Sequence, residues 1–233
     1  MAYRVLAINP GSTSTKIAVY VGEISLFEVT LRHAPEELAA CADLAESLAF
    51  RKKIVLRELA ERGVPTGSLD AVIGRGGILR PVEGGVYAVN ERMLEDLRAC
   101  KYGEHASNLG AFLAKDIAAA ANLPAYIADP VVTDEMCDLA RLSGHPEIVR
   151  ISVFHALNQK AVARRYCRSS GLRYEEVNLI IAHMGGGISV GAHEKGRVVD
   201  VNDGLGGDGP YSAQRCGGLP AKALVRLCLK KNL

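Results

Sequence analysis

The fold is decided by the stretch Val5-Leu-Ala-Ile-Asn-Pro-Gly-Ser-Thr-Ser-Thr-Lys-Ile-Ala-Val-Tyr20, in which a polar turn joins two apolar runs. Short runs rich in Val and Ile and flanked by turn residues predict β-strands. Hydroxyl and backbone N–H groups at this glycine-containing turn can hold an anion, and Lys16 adds positive charge. The alternative is an ordinary polar hairpin turn. The P-loop motif is excluded, because no helix pattern follows and its Gly-Lys-Ser/Thr order is absent.

The same order of elements returns later in the chain. The run Val177–His183 predicts a strand, 184–187 a tight glycine turn, Ile188–His193 a second strand and Arg197–Asn202 a third. At the front of the chain the third strand is predicted over Glu23–Thr30. Two three-stranded meanders that each open on an anion-binding turn indicate an internal duplication. We expect the two halves to face each other across a cleft.

The glycines of the second turn also fit a loose dinucleotide-binding fingerprint, through Gly185, Gly187 and Gly191. That fingerprint has to open a helix, whose N-terminus holds the pyrophosphate. Here β-branched alternation and another turn follow, so we reject this reading. Glycines at a β-turn instead let the backbone approach a phosphate closely.

Between the two meanders, helical and strand patterns alternate, which favours an α/β fold. Asn90 is a predicted N-cap, and so is Thr133, whose helix would carry Asp134 and Glu135 in its first turn. The helical patterns cover 35–62, 90–101, the Ala-rich run to 121, a helix starting at 133 and 152–170, and the strand patterns cover 70–73 and 124–128.

Composition bounds the class of protein. The chain has 233 residues, of which 48% are apolar, so it can bury a core as one large domain or two small ones. A net charge of +2 without a basic run gives no indication of nucleic-acid binding. No apolar run reaches about 18 residues, so we expect no membrane span, and the immediate strand pattern predicts no signal peptide. Six scattered cysteines without a C-x-x-C pair predict reduced thiols, no structural zinc and a cytoplasmic location.

Five motifs occur in order: Ile8-Asn-Pro-Gly-Ser-Thr-Ser-Thr-Lys16, Gly103-Glu-His-Ala-Ser-Asn-Leu-Gly110, Asp129-Pro-Val-Val-Thr-Asp134, Val153-Phe-His-Ala-Leu-Asn-Gln-Lys160 and Ala182-His-Met-Gly-Gly-Gly-Ile-Ser-Val-Gly191. Together they resemble the butyrate kinase family, within the acetokinases of the acetate and sugar kinase/Hsp70/actin superfamily. The resemblance covers essentially the whole chain. It implies a duplicated ribonuclease-H-like α/β fold, with domains at 1–150 and 151–233 and the second one incomplete. It also implies ATP, Mg²⁺ and reversible phosphoryl transfer to a short-chain carboxylate, which gives an acyl phosphate and ADP.

The resemblance further implies roles for single residues. It makes Asp129, His155 and Arg215 catalytic, Arg75 and His105 substrate-binding, Asn9 and Asp129 magnesium-associated, and Ser12, Ser14, Lys16, His183, Gly185, Gly186 and Gly187 phosphate-binding.

These residue types suit the chemistry, because a carboxylate and a terminal phosphate repel each other. At about 4 Å and an effective dielectric constant near 20, one pair of unit charges repels by roughly 4 kcal/mol. The protein must therefore supply positive charge and positioning. The residues alone leave other interpretations open. Arg75 and Arg215 could be surface residues, and His155 could simply begin a helix. Asp129 could form a turn before Pro130.

Substrate size is a further expectation. Gly76 and Gly77 follow Arg75, and we expect them to leave space beside the carboxylate. Larger side chains there would close the pocket around a two-carbon acid. We therefore expect butanoate or a branched short-chain acid to be preferred over acetate.

Several functional alternatives stay open. The chain ends before the adenine-binding turn that the resemblance predicts, so we expect weak or absent kinase activity in isolation and a partly bare second sheet. A non-catalytic remnant that acts by binding or dimerisation is one alternative, and an acetate or propionate kinase is another. A sugar kinase or chaperone-type ATPase is disfavoured, because Arg75 and the Phe154-His155 pair match the carboxylate-using branch. The resemblance suggests a homo-oligomer, a dimer or larger.

Overall fold

The computed structural model describes residues 2–206 and 208–232, and the chain divides into two compact units. Unit 1 comprises Met1–Arg80 and Gly85–Pro130, and unit 2 comprises Pro81–Gly84 and Val131–Leu233. The division falls after Pro130, whereas the domains predicted from the sequence meet at 150 and remain a sequence-based assignment. Among the described residues, no helix combines the length and the apolar character needed to cross a membrane.

Unit 1 is built on one mixed sheet. Its strands are β1 (Arg4–Pro10), β2 (Ser14–Val21), β3 (Ile24–Arg32), β4 (Ala71–Arg75), β5 (Val86–Ala88) and β6 (Ala125–Ala128), in the order β3-β2-β1-β4-β6-β5. The predicted meander is present, since β1, β2 and β3 pair antiparallel, while β5 was not predicted. Strands β1, β4 and β6 run parallel, so their carboxyl ends meet at one edge of the sheet.

The helices of unit 1 are α1 (Pro35–Ala39), α2 (Leu44–Glu61), α3 (Glu91–Arg98) and α4 (Leu109–Ala120), with 3₁₀ turns at Thr66–Ser68 and Ala106–Asn108. Helix α4 packs on β1, β4 and β6, and α2 packs on α4. The helical region predicted over 35–62 is two helices, because Asp43 starts a new one by accepting a hydrogen bond from the Glu46 N–H. The predicted cap of α3 is confirmed: Asn90 Oδ1 accepts from the Met93 N–H at 2.9 Å.

Two glycines let α4 touch the central strand. A Cβ atom at Gly74 would collide with the Gly110 carbonyl group, and a Cβ atom at Gly110 would collide with the Arg75 carbonyl oxygen. Backbone therefore packs directly on backbone at this point, and α4 buries Leu113 and Ile117 completely. This contact fixes the end of β4, where Arg75 stands.

Unit 2 carries the second predicted meander, and the structure confirms it. Strands β7 (Asn178–Met184), β8 (Ile188–Glu194) and β9 (Arg197–Val201) pair antiparallel in chain order. The unit also contains α5 (Ala156–Ser169), α6 (Ala221–Lys231) and 3₁₀ turns at Asp138–Arg141 and Tyr174–Glu176. Strand β7 exposes apolar side chains, with Ile180 72% and Met184 79% exposed.

The helix predicted to start at Thr133 is wrong. Glu135 turns inward instead and forms an ion pair with Lys160 at 2.8 Å, and the backbone N–H groups of Gly84 and Val198 donate to its carboxylate. Burial alone would raise the pKa of the Glu135 carboxyl, but these hydrogen bonds and the lysine charge bring the pKa below its usual range. Partners distant in sequence outweigh the local preference for a capped helix.

A test of the backbone contact is the Gly110→Ala variant. Its new methyl group has no room beside the Arg75 carbonyl oxygen, so β4 and α4 must separate. We expect the free energy of unfolding to fall by about 1–3 kcal/mol or more. Urea denaturation measures it, with Gly67→Ala as the control, because nothing lies within 4 Å of a Cβ atom there. Equal stability of the two variants would contradict the packing described here.

Candidate functional site

In unit 1, three of the predicted residues stand at neighbouring strand ends. Asn9 lies near the end of β1, Arg75 ends β4 and Asp129 follows β6. The register pairs Ile8 with Gly74 and Arg75 with Ala128, so the three positions follow one another along the sheet edge. One Arg75 guanidinium nitrogen lies 3.5 Å from Asn9 Oδ1. Burial lowers the pKa of Arg75 from its usual value.

Asp129 has an unusual backbone and an anchored carboxylate. Its φ angle is +34°, which is uncommon for a residue other than glycine, although Asp tolerates it better than most. The Gly85 N–H donates to Oδ1 at 2.8 Å, and the Asp129 N–H donates to the Gly85 carbonyl at 2.9 Å. The side chain is 5% exposed. The turn before Pro130 thus presents a fixed carboxylate at the sheet edge.

The glycine turn between β1 and β2 is held from inside by a buried arginine that the sequence reasoning missed. Arg51 of α2 is 3% exposed and donates to the carbonyl oxygens of Ser12 and Ser14 at 3.2 and 3.1 Å. In a trans peptide the following N–H points to the opposite side. The Thr13 N–H therefore faces away from Arg51, in the orientation needed to meet an anion outside the turn.

Arg51 also belongs to a buried polar chain. It donates to Thr15 Oγ1 at 2.9 Å, and Thr15 Oγ1 lies 2.9 Å from His33 Nε2. Burial, together with the Arg51 charge, lowers the pKa of His33, and burial also lowers the pKa of Arg51. A signal in the sequence could have found Arg51, because it shares the helical stripe of the buried residues Val55 and Leu59.

Two predicted residues of unit 1 have other surroundings. The Lys16 ammonium group lies 2.6 Å from a Glu28 carboxylate oxygen on β3. His105 accepts a hydrogen bond from the Ser107 N–H at 3.1 Å. It lines a cavity of about 470 Å³ between α2, α3 and α4, whose walls do not include Asn9, Arg75 or Asp129.

The structure overturns the argument on substrate size. A Cβ atom at Gly76 would lie 2.6 Å from Pro130 Cβ, and one at Gly77 would lie 2.5 Å from Asn108 Oδ1. The space beside both glycines is therefore filled by neighbouring protein atoms. These glycines serve close packing, and their missing side chains do not create space for a longer acid.

In unit 2, two predicted histidines are stacked. The rings of His155 and His183 lie 3.7 Å apart between centroids, with planes 8° from parallel. His155 precedes α5, and its Nδ1 lies 2.9 Å from Ser189 Oγ. His183 Nδ1 lies 3.2 Å from Asn158 Oδ1. Each ring is thus oriented by a side chain that the sequence reasoning did not assign.

The glycine turn of unit 2 is packed against the segment that carries Arg215. A Cβ atom at Gly187 would overlap the Arg215 guanidinium group, and one at Gly186 would collide with the Gln214 side chain. Ser212 Oγ donates to the Gly186 carbonyl at 2.6 Å. The structure therefore places the predicted arginine directly on the predicted phosphate turn. The glycines of this turn, 185–187, follow the end of β7 at Met184. Gly187 makes room for the Arg215 guanidinium group, and Gly186 makes room for the Gln214 side chain.

No arrangement of three or more His, Cys, Asp or Glu side chains suited to a metal ion occurs within the described part of the chain. The oxygens of Asn9 and Asp129 are nevertheless hard donors of the kind that Mg²⁺ prefers. Magnesium often binds through one or two protein oxygens, several waters and the substrate's phosphates. The residues present fit that mode and do not form a cage of protein ligands.

Curated relatives match almost the whole chain. It is 56% identical over 228 residues to a probable butyrate kinase of Clostridium botulinum (strain Eklund 17B / Type B), covering 98% of this chain and 64% of the relative. It is 54% identical over 230 residues to butyrate kinase 1 of Clostridium acetobutylicum, covering 99% of this chain and 65% of the relative. The chain thus spans about two-thirds of the length of these relatives, slightly less in each case. No protein-family model matches it.

Solved structures show the same fold. An acetate kinase of Porphyromonas gingivalis superposes with a TM-score of 0.73 at 19% identity, over 100% of this chain and 65% of the other. A propionate kinase of Francisella tularensis gives a TM-score of 0.71 at 17% identity, over 99% and 65%. At such identities the likeness shows the fold alone, and the chain has the α/β fold of these acetate and propionate kinases, as the resemblance implied.

The buried arginine can be tested with Arg51→Leu. This change leaves the carbonyl oxygens of Ser12 and Ser14 and the Thr15 hydroxyl without their donor. We expect the free energy of unfolding to fall by about 2–4 kcal/mol. Arg57→Leu on the same helix is the control, because the Arg57 side chain is 67% exposed. A loss no larger than that of the control would show that Arg51 does not hold the turn.

Proposed function

We propose that this chain, which is 56% and 54% identical to two butyrate kinases, is a member of that family and serves reversible phosphoryl transfer between ATP and a short-chain carboxylate, with butanoate as the preferred acid. The observation that carries the proposal is the Arg215 guanidinium group seated on the glycine turn that follows His183, whose ring stacks on His155. Such an arrangement offers positive charge and hydrogen-bond donors to a transferring phosphoryl group. The choice of butanoate rests on the relatives' names and not on the glycines after Arg75.

In unit 1, Arg75 is proposed to bind the substrate carboxylate. A guanidinium group matches a carboxylate with two parallel hydrogen bonds. Its partial burial raises the strength of that ion pair, because the dielectric constant is lower there than in water. The backbone contact between Gly74 and Gly110 fixes the strand end that carries it. His105 is kept as a second substrate-binding candidate.

The Asn9 amide and the Asp129 carboxylate are proposed to hold Mg²⁺ that accompanies the nucleotide. Strands β1 and β6 are separated by β4, which puts their backbones about 10 Å apart. An ion that keeps part of its hydration shell can reach both groups through water. When bound, Mg²⁺ neutralises phosphate charge. The anchored Asp129 carboxylate has the fixed direction that this role requires.

The two glycine turns are proposed to bind the phosphates. In unit 1, Ser12 and Ser14 lie in the turn that Arg51 holds, and Lys16 adds charge that Glu28 partly offsets. In unit 2 the turn comprises His183 and the three glycines 185–187. His155 and Arg215 are proposed to hold the equatorial oxygens of the transferring group, where charge builds up.

The cellular setting is also a proposal. Six free cysteines, none of them in a disulfide, support a reducing cytoplasmic location. The exposed apolar residues of β7, Ile180 and Met184, support association into a dimer or larger oligomer.

The central role of Arg215 is tested with Arg215→Ala. The hydroxamate assay measures butyryl phosphate formed from ATP and butanoate. We expect the rate to fall by about 10³-fold or more, or to the background of the assay. Arg165→Ala, an exposed position on α5, is the control and should keep the rate of the unmodified chain. A butyryl phosphate rate that persists unchanged in Arg215→Ala rules out the role assigned to Arg215. Because weak or absent activity is expected of this chain in isolation, an unmodified chain that forms no butyryl phosphate rules out only catalysis by this chain alone.

Substrate binding by Arg75 predicts a selective effect. In Arg75→Ala, the KM for butanoate should rise by about 10–100-fold, because a charge-assisted pair is lost. The KM for ATP should change little. Arg80→Ala is the control, since Arg80 is exposed. A rise confined to the KM for ATP would place Arg75 at the nucleotide instead.

A further inference from the structure

A continuous chain of hydrogen bonds runs inward from His155. His155 Nδ1 lies 2.9 Å from Ser189 Oγ, and Gln159 Nε2 donates to that same hydroxyl oxygen at 2.9 Å. Gln159 Oε1 lies 3.0 Å from His193 Nε2, and His193 Nδ1 lies 2.6 Å from the Tyr174 hydroxyl oxygen. The four inner side chains are all buried, with between 0% and 3% exposed.

The donors and acceptors in this series of hydrogen bonds can be assigned, starting from a backbone carbonyl group. Gln159 Nε2 lies 3.0 Å from the Ser189 carbonyl oxygen, which can only accept a hydrogen bond. This contact fixes the amide so that Oε1 faces His193. An amide oxygen also only accepts, so His193 must carry its proton on Nε2. Its Nδ1 is then an acceptor, and the Tyr174 hydroxyl is the donor.

The same reasoning assigns the hydrogen bond between Ser189 and His155. Ser189 Oγ accepts the second N–H of the Gln159 amide and faces the His155 backbone N–H at 3.4 Å. With its lone pairs engaged in this way, the hydroxyl group uses its own proton as a donor. The acceptor within reach is His155 Nδ1 at 2.9 Å. A neutral His155 ring then carries its proton on Nε2.

We infer that Ser189, Gln159, His193 and Tyr174 are positioning residues that hold His155 in its Nε2–H tautomer, in orientation to donate to a negatively charged oxygen. The role of this tautomer in catalysis rests on the proposed function, in which His155 Nε2–H donates to a phosphoryl oxygen. A partner on one imidazole nitrogen fixes the tautomer and direction of the other. None of the four residues needs to touch a substrate.

Two further features support this arrangement. A Cβ atom at Gly191 would collide with Gln159 Oε1 and lie 3.2 Å from His193 Nε2. Strand β8 therefore has no side chain at the point where Gln159 and His193 meet. Burial, followed by the nearby Lys160 charge, lowers the pKa of His193 to about 4, although Glu135 opposes the shift. His193 is therefore neutral near pH 7. This agrees with the hydrogen bonds assigned to it, in which Nε2 donates and Nδ1 accepts.

Nuclear magnetic resonance of the chain with isotope-labelled histidine tests the tautomers directly. Long-range proton–nitrogen correlations at mildly alkaline pH distinguish Nε2–H from Nδ1–H rings, and His155→Gln assigns the His155 signals. We expect His155 and His193 both as Nε2–H rings, with the Nδ1 resonance of each at the position of a hydrogen-bonded acceptor. An Nδ1–H tautomer at either residue would overturn the inference. This readout needs no activity, so it is separate from the test of the proposed function.

Ser189→Ala provides the second arm. The His155 Nδ1 resonance should move to the position of an unbonded nitrogen, and kcat for butyryl phosphate formation should fall by about tenfold, the effect of one such hydrogen bond. The KM values should stay unchanged, which a merely structural loss would not predict. Ser169→Ala at the exposed end of α5 is the control. An unmoved His155 resonance in Ser189→Ala would contradict the inference even if activity fell.

Discussion

A buried charge needs hydrogen-bond acceptors or an opposite charge close to it, and this constraint acts in both units. In unit 1, Arg51 lies in the apolar stripe of α2 and is tolerated there because two carbonyl oxygens and a hydroxyl group accept from it. In unit 2, Lys160 is paired with Glu135, whose carboxylate also receives two backbone N–H groups. Arg51 thereby fixes the turn between β1 and β2, and the Lys160–Glu135 pair fixes the backbone at Gly84 and Val198.

Fixed irregular backbone is what the proposed chemistry requires. Phosphoryl transfer depends on positioning and on donors that do not reorganise during the reaction. The turn after β1 is held through its carbonyl groups, which directs the Thr13 N–H away from Arg51. The turn after β7 is held by Ser212, with Arg215 lying on its glycines. The two turns reach a similar result with different supports.

The glycines show how one residue type answers different steric demands. At Gly74 and Gly110 the missing side chain lets a helix meet a strand. At Gly187 it admits a guanidinium group, and at Gly191 it admits an amide and an imidazole ring. The sequence marks all these positions equally. Only the atoms that fill the space beside a glycine show whether it allows close packing or borders a binding site. For this reason the argument from Gly76 to substrate size was wrong.

The elements whose signals are local could be predicted from the sequence. Short apolar runs bounded by turn residues predicted both meanders, and the side chain of Asn90 predicted the start of α3. Five ordered motifs carried the resemblance to the butyrate kinases, which the 56% identity to one of them supports. Tertiary structure alone decided that Thr133 begins no helix, that Arg51 supports a turn and that Ser189 sets the direction of His155. These outcomes depend on hydrogen-bond partners tens of residues away, brought together only by folding, so no local pattern encodes them.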